Sequence, residues 1–209
     1  MHRCISKLLS LEPKPYHLPM LAPRLYYTPP QRAVYRPDAL DAADFARLQR
    51  QPHLQSRADW RSSRALKQLL PQPRPPFSLA HRKGHAVLLW GAPCVGVDLE
   101  YLQARDFVAL LPWFADEAER HWFMTQADKR LAFYRLWTFK EALLKALGAD
   151  FASLKSLTVA TAAPPGLHWQ RYAWLLDEHW LVSAVLAAPQ ALPPPQVIGA
   201  ASVITLPSF

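Results

Sequence analysis

The stretch Phe133-Tyr134-Arg135-Leu136-Trp137-Thr138-Phe139-Lys140-Glu141-Ala142-Leu143-Leu144-Lys145-Ala146-Leu147-Gly148 predicts one long helix in the second half of the chain. Its apolar residues recur at helical spacing, it contains no proline, and Gly148 follows as a C-cap. On a helical wheel of about 3.6 residues per turn, the apolar side chains that share one face are Phe133, Leu136, Leu143 and Leu147.

The polar residues of this helix are arranged in two ways. Trp137, Glu141 and Lys145 follow each other at intervals of four residues along a second face. Lys140 instead projects from the middle of the apolar face, where an ammonium group must either extend to solvent or find an anion. An ordinary amphipathic helix with a Glu141–Lys145 surface pair is the alternative interpretation.

Length and composition indicate a globular protein. The chain has 209 residues, of which 51% are hydrophobic and 19% charged, and it suits one large domain or two small ones. The longest apolar run, around residues 86–99, is interrupted by Gly91, Pro93 and Gly96, so no membrane span is expected. The apolar patch within residues 5–11 is too short for a secretory signal.

Two cysteines, Cys4 and Cys94, provide neither a disulfide framework nor a metal-ligand spacing. We therefore expect a reducing, cytoplasmic environment. The formal net charge of +8 is compatible with nucleic acid, anionic lipid, a phosphate-rich small molecule or an acidic protein as the partner, and charge alone does not choose among them.

The order of the predicted elements indicates an α+β fold. Many prolines in residues 1–37 predict irregular or extended wrapping. Helices are predicted from residue 38, at 55–70, 105–111 and 116–124, and from 128; strands are predicted at 77–81, 86–90, 94–100, 156–161, 167–176, 180–186 and 197–206. Helices followed by hairpins, twice over, predict two similar halves that meet near residue 95. The expected divisions are an irregular wrap at 1–30, one half at 31–95 and the other at 96–209.

Two carboxylates stand together on one predicted strand. Asp98 and Glu100 are two residues apart, so their side chains lie on the same side of the strand, two residues beyond the small Gly96. Adjacent carboxylates repel each other unless a cation joins them, and oxygen ligands without a Cys or His cluster favour Mg²⁺. The alternative is an ordinary solvated strand end.

Three segments taken together resemble the signature of the 4′-phosphopantetheinyl transferases, and most closely the long, surfactin-synthetase-activating type with two halves. The segments are 77–81 (Phe-Ser-Leu-Ala-His), 96–100 (Gly-Val-Asp-Leu-Glu) and 137–145 (Trp-Thr-Phe-Lys-Glu-Ala-Leu-Leu-Lys). The last two match that family at every defining position, and the resemblance extends from about residue 38 to the C-terminus. In the first, Ser78 and Ala80 replace the family's Asn and Ser.

The resemblance implies transfer of 4′-phosphopantetheine from coenzyme A to a serine of an acyl, peptidyl or polyketide carrier protein, with release of adenosine 3′,5′-bisphosphate. It implies two pseudo-symmetric halves, each a small antiparallel sheet packed by a long helix, with coenzyme A in the cleft between them. The enzyme would require Mg²⁺, which Asp98, Glu100 and Glu141 would hold against the pyrophosphate.

Further site residues follow from the same resemblance. Lys145, one turn beyond Glu141, would contact the pyrophosphate and stabilise the departing phosphate, and Lys140 would reach the same charge. The residues expected to bind the phosphates of coenzyme A are His81, Arg82 and Arg57, with His81 on the 3′-phosphate. Glu117 and Glu119 both compete for the position of the base that some relatives use to activate the serine.

Two other functions compete with this one. A catalytically degraded relative would bind coenzyme A or a carrier protein without transfer, but the intact Asp98, Glu100, Glu141 and Lys145 argue against it. A basic nucleic-acid-binding domain would need aromatic residues interleaved with basic ones, which the sequence does not show. The resemblance, together with the basic net charge, implies an acidic carrier protein as the partner. We expect no nucleic acid, no membrane and a monomer.

Overall fold

The computed structural model describes residues 22–163, 167–188 and 191–207, so most of the predicted N-terminal wrap lies outside the described residues. The α-helices of the described residues are α1 (Ala42–Arg50), α2 (Ala58–Lys67), α3 (Phe107–Leu110), α4 (Glu117–Thr125) and α5 (Lys129–Leu147). The strands are β1 (Arg24–Thr28), β2 (Phe77–Arg82), β3 (His85–Trp90), β4 (Cys94–Tyr101), β5 (Gln170–Leu176), β6 (Trp180–Ala187), β7 (Gln196–Val197) and β8 (Val203–Leu206).

The strands form two sheets with related topology. One sheet has the order β2-β3-β1-β7 and the other the order β4-β6-β5-β8. In each half a first strand leads through a helix to a hairpin, and the second strand of that hairpin pairs antiparallel with the first strand. The first half consists of β1, α2 and the β2–β3 hairpin, and the second of β4, α5 and the β5–β6 hairpin.

The two sheets pack face to face between two helices. Their facing sides share one core that includes Leu25, Leu89, Val97 and Val182. The outer side of the first sheet is covered by α2 and the outer side of the second by α5, and each helix buries its own apolar cluster there. This layering places the edge strands β2 and β4 side by side, so the two halves are in contact along these strands.

The predicted α+β class is confirmed, and so is the long helix. Helix α5 begins after Asp128, whose side chain accepts a hydrogen bond from the Leu131 N–H, and ends at Gly148 in the left-handed conformation. All four residues of its predicted apolar face are buried. None of the helices in the described part of the chain is long and apolar enough to cross a membrane.

Three details differ from the sequence-based expectation. Arg24–Thr28, within the proline-rich segment predicted to be irregular or extended, is an inner strand that pairs with β3. The strand predicted at 156–161 does not form, because Phe151–Ser156 makes a 3₁₀ helix capped by Asp150 and a turn follows. The single strand predicted at 197–206 is divided between the sheets, since β7 pairs with β1 and β8 with β5.

Candidate active site

The site is built where α5 lies directly on β4. A Cβ atom added to Gly96 would stand 1.8 Å from the Ala142 carbonyl oxygen and 2.7 Å from the Ala146 nitrogen. Only glycine permits this close approach of helix backbone to strand backbone. As a result, side chains of α5 reach the same side of β4 as Asp98 and Glu100.

Asp98 and Lys145 are joined by an ion pair at the centre of this contact. Lys145 Nζ donates to Asp98 Oδ1 at 2.7 Å and to the Val97 carbonyl oxygen at 3.1 Å. Asp98 is buried, and the Lys145 side chain is 29% exposed, so this lysine is still reached by solvent. A lysine in that position can exchange a contact with the protein for one with an anionic ligand.

Two further carboxylates respond to the charge of Asp98. Burial and the neighbouring Asp98 raise the pKa of Glu141, which Lys145 partly offsets. Burial and Asp98 likewise raise the pKa of Glu100, against Arg82, Arg105 and Lys145. Asp98 therefore lies within electrostatic reach of both Glu100 and Glu141, and its charge disfavours the ionised form of each.

The donor set fits a hard divalent cation. Asp98 Oδ2 is buried and has no hydrogen-bond partner among the described residues. A cation would satisfy this oxygen and relieve the repulsion among the three carboxylates, and oxygen donors are those that Mg²⁺ prefers. Within residues 22–163, 167–188 and 191–207, no three His, Cys, Asp or Glu side chains are already close enough to form a metal cluster.

Lys140 finds its anion inside the protein. Its ammonium group is fully buried and donates to Glu119 Oε2 at 2.7 Å. The same oxygen of Glu119 accepts from the Asp116 N–H at 3.0 Å, which completes a capping box at the start of α4. The prediction that Lys140 contacts a phosphate is therefore not supported, because this side chain has no exposed surface.

The same pair distinguishes the two competing glutamates by their exposure. Glu119 is buried and held by Lys140, so it is not available to a serine hydroxyl from another protein. Glu117 is exposed in the first turn of α4. Of the two candidates, only Glu117 can meet a docked partner as the structure stands.

The predicted phosphate-binding residues lie on the first half, next to the carboxylates. His81 lies on β2 with an exposed side chain. Partial burial of its ring, together with the charges of Arg64, Lys145 and Arg57, lowers its pKa. Arg57 is exposed at the start of α2, where it is 3.8 Å from Asp59. Arg82 Nε lies 3.5 Å from Glu100 Oε2, so it connects β2 to the carboxylate group of β4.

A cavity of about 430 Å³ opens beside Glu100. Its polar side is formed by Arg82, Glu100 and Arg105. Its apolar lining comprises Leu110, Trp113, Phe114, Phe133, Tyr134, Trp137, Phe151 and Leu154. Trp113 and Phe151 are largely exposed at the rim, so the cavity can receive an apolar group from solution.

Sequence reasoning missed several of these features. Asp59 was not singled out, although it accepts from the Gly84 N–H and pairs with Arg57. The apolar residues of the cavity come from three separated segments, and spacing within one segment cannot reveal such a set. Trp137, which the wheel places on the face of Glu141, was the one available signal.

Two of the basic side chains of α2 are held by acidic residues of the same half. Arg64 lies 2.9 Å from Asp44, and Lys67 forms ion pairs with Asp41 and Asp44 at 2.7 and 2.6 Å. Their side chains are only 11% and 14% exposed. Arg57 and Arg61 remain exposed, so they are the cations of this helix that a partner could meet.

Comparison with known proteins agrees with this geometry. Residues 94–183 match the family model of the 4′-phosphopantetheinyl transferase superfamily, and this segment contains β4, α5 and most of the site. An inferred 4′-phosphopantetheinyl transferase of Haemophilus influenzae is 40% identical over 63 residues, 30% of this chain and 27% of the relative. The 4′-phosphopantetheinyl transferase HetI of Nostoc sp. is 36% identical over 107 residues, 49% of this chain and 45% of the relative.

These matches span less than half of the length of either relative. They confirm the resemblance to the superfamily for residues 94–183. The assignment to the long, surfactin-synthetase-activating type stays a prediction.

Proposed function

We propose that this chain transfers the 4′-phosphopantetheine group of coenzyme A to a serine of an apo carrier protein and releases adenosine 3′,5′-bisphosphate. The observation that carries this proposal is the Asp98–Lys145 pair, which lies within the segment matched by the superfamily, beside Glu100 and Glu141. Carboxylates for a cation, a lysine beside them and an apolar cavity are the parts that phosphoryl transfer from such a substrate requires.

The carboxylates would hold the metal. Asp98, Glu100 and Glu141 present oxygen donors, and Asp98 Oδ2 is a buried oxygen without a hydrogen-bond partner among the described residues. Bound Mg²⁺ would neutralise charge on the pyrophosphate of coenzyme A. The residues themselves orient that pyrophosphate against Lys145.

Lys145 would stabilise the leaving phosphate. Its Nζ donates to Asp98 Oδ1 and to the Val97 carbonyl oxygen, and these two contacts fix the ammonium group beside the carboxylates of the site. As negative charge grows on the leaving oxygen, an ammonium group fixed in this way needs little reorganisation to stabilise it. Glu117, exposed at the start of α4, is the glutamate available to accept the proton of the carrier serine.

The rest of coenzyme A would extend over both halves. His81 and Arg57 would contact the nucleotide phosphates, with His81 on the 3′-phosphate, and Arg82 lies next to Glu100. The pantetheine arm is largely apolar, so the cavity beside Glu100 is the place that suits it. An acidic carrier protein would dock against the exposed arginines of the first half.

The decisive experiment mixes the protein with coenzyme A, Mg²⁺ and a panel of apo carrier proteins, and measures the intact masses of the carriers. The wild type should add one phosphopantetheine group to at least one carrier. Asp98→Asn should abolish this addition and the thermal stabilisation by Mg²⁺ plus coenzyme A, whereas Asp38→Asn, an exposed carboxylate of the first half, should change neither. Near-normal turnover by Asp98→Asn would show that the site is wrongly assigned.

Other outcomes separate the competing functions. Binding of coenzyme A without any mass change on the carriers would indicate a binding module and contradict transfer. A shift of single- or double-stranded DNA in a gel, without binding of coenzyme A, would indicate a nucleic-acid-binding domain.

The role of His81 is tested with a modified substrate. His81→Ala should raise the KM for coenzyme A about tenfold, roughly the loss of one charge-assisted hydrogen bond. The KM for 3′-dephospho-coenzyme A should change little, because this substrate lacks the phosphate that His81 would contact. An equal rise for both substrates would remove His81 from the 3′-phosphate.

A further inference from the structure

One side chain from each half holds the outer edge of β4 at the centre of the site. β4 is the edge strand of its sheet, so alternate backbone groups on its outer side have no strand partner. At Val97 the N–H donates to the Ser78 hydroxyl oxygen at 3.0 Å, and the carbonyl oxygen accepts from Lys145 Nζ at 3.1 Å. Ser78 is buried and belongs to β2, the edge strand of the other sheet.

We propose that Ser78 is a positioning residue whose hydroxyl fastens β2 to β4, and thereby sets the distance between His81 and the Asp98–Lys145 pair. The inference rests on the proposed function, because it concerns a ligand that extends from His81 to Lys145. Ser78 itself contacts neither the ligand nor the reacting atoms.

The placement along the two strands supports this role. His81 follows Ser78 by three residues on β2, and Asp98 follows Val97 directly on β4. The hydrogen bond therefore joins the strand that carries His81 to the residue before Asp98. Burial is the main cause that lowers the pKa of His81, and the charge of Lys145 contributes to the same direction.

The second link between these strands is looser. Arg82 and Glu100 also join β2 to β4, but their atoms are 3.5 Å apart and the Arg82 side chain is 42% exposed. A long, solvated ion pair permits many arrangements of similar energy. A short side chain that binds a buried backbone N–H permits few, so Ser78 is the link that can determine a distance.

Loss of the hydroxyl should therefore affect binding more than chemistry. Ser78→Ala leaves the buried Val97 N–H without its acceptor, and the two edge strands can then separate. Asp98, Glu141 and Lys145 all belong to the second half and keep their mutual arrangement. A ligand held both by His81 and by the Asp98–Lys145 pair would bind more weakly, while its turnover once bound would change little.

The test compares Ser78→Ala with Ser78→Thr, which keeps the hydroxyl, and with Thr28→Val. Thr28 is a fully buried hydroxyl on β1 of the same sheet, and it donates to the Pro29 and Ile198 carbonyl oxygens, away from β4. Ser78→Ala should raise the KM for coenzyme A about tenfold with kcat within twofold of the wild type. Ser78→Thr should restore most of the affinity, and Thr28→Val should leave the KM unchanged.

Two controls distinguish positioning from a general loss of stability. In the His81→Ala background, Ser78→Ala should add little to the KM, because both changes remove the same contact. Hydrogen exchange at the Val97 amide should accelerate in Ser78→Ala and not in Thr28→Val, and this measurement does not depend on any activity.

The outcomes are separable. If the wild type modifies no carrier and binds no coenzyme A, the proposed function fails, whereas unchanged exchange at the Val97 amide in Ser78→Ala contradicts the inference alone. An equal KM for Ser78→Ala and Thr28→Val, or full additivity with His81→Ala, would also overturn it.

Discussion

The two halves of the molecule share a topology and differ in charge. Residues 22–95 contain twelve Lys and Arg and four Asp and Glu, whereas residues 96–209 contain nine Lys and Arg and eleven Asp and Glu. The first half therefore carries nearly all of the excess positive charge, and the second half carries the carboxylates of the site. The two halves have the same topology, but the charge of the first half suits phosphate groups and the carboxylates of the second half suit a cation.

The halves also differ in how closely the helix approaches its sheet. In the first half α2 packs mainly on β3, through Leu66 against Ala86 and Leu88. In the second half α5 packs most extensively on β4, where Gly96 lets the two backbones meet. Gly96 therefore lets α5 bring its side chains close to the strand that carries Asp98 and Glu100, and the first half has no equally close contact between α2 and a strand at a described glycine.

The largest expected difference between the halves concerns their lysine ion pairs. Lys140→Met should lower the free energy of unfolding by about 3–5 kcal/mol, because it leaves the carboxylate of Glu119 buried and unpaired. Lys67→Met in the first half should have a smaller effect, since Asp44 keeps Arg64 as a partner. Urea denaturation of both variants measures this, and equal losses would show that the Lys140–Glu119 pair is not special.

The close approach at Gly96 gives the next largest effect. Gly96→Ala should destabilise the fold by about 3 kcal/mol, because the added methyl overlaps backbone atoms of α5 that cannot move independently. For a chain of this size that corresponds to a fall in Tm on the order of 10 °C. A thermal melt that matches the wild type would mean that helix and strand are not in contact at this residue.

A pH-dependent loss of stability should come from the contact between the halves. His85 of β3 forms a hydrogen bond with the Tyr27 hydroxyl at 2.7 Å, and its ring stacks on Trp180 of β6 with 3.8 Å between the ring centroids. Burial lowers the pKa of His85 to about 4. Because the unfolded chain binds this proton more readily, stability should fall as pH decreases from about 6.5 to 4, by about 1–2 kcal/mol after allowance for partial exposure.

The measurement is urea denaturation at several pH values between about 7 and about 4. This range covers the pKa of His85 in the unfolded chain and its lowered pKa in the folded chain. His85→Gln should flatten the decline, whereas His53→Gln, at an exposed histidine of the first half, should not. If the two variants have the same slope, the decline originates elsewhere.

The smallest expected effect uses the difference in charge. Arg61→Glu, on the exposed side of α2, should raise the KM for an acidic carrier protein severalfold at low salt and leave kcat nearly unchanged. Arg130→Glu, an exposed arginine of the second half, is the matched control and should have less effect. The difference should fade above about 0.1 M salt, where the Debye length is about 10 Å. Equal effects of both reversals would mean that the charge difference does not guide docking.

The sequence by itself determined the parts of this protein that depend on local spacing. Helix α5 and the shared side of Asp98 and Glu100 on β4 follow from periods of about four and two residues, and Gly148 marked the end of the helix as a C-cap. The resemblance to the superfamily rests on the same local motifs and is confirmed for residues 94–183.

Only the tertiary structure decided how distant segments meet. Arg24–Thr28 becomes a strand because β3, some sixty residues later, supplies its hydrogen bonds, and its own five residues carry no decisive signal. Lys140 was identified as an anomaly by the helical wheel, but its partner Glu119 lies 21 residues away on another helix. The split of residues 196–206 between two sheets, the Ser78–Val97 hydrogen bond and the cavity beside Glu100 have the same origin. Periodicity reports which face of an element is buried, whereas the partner of that face is set by packing over the whole chain.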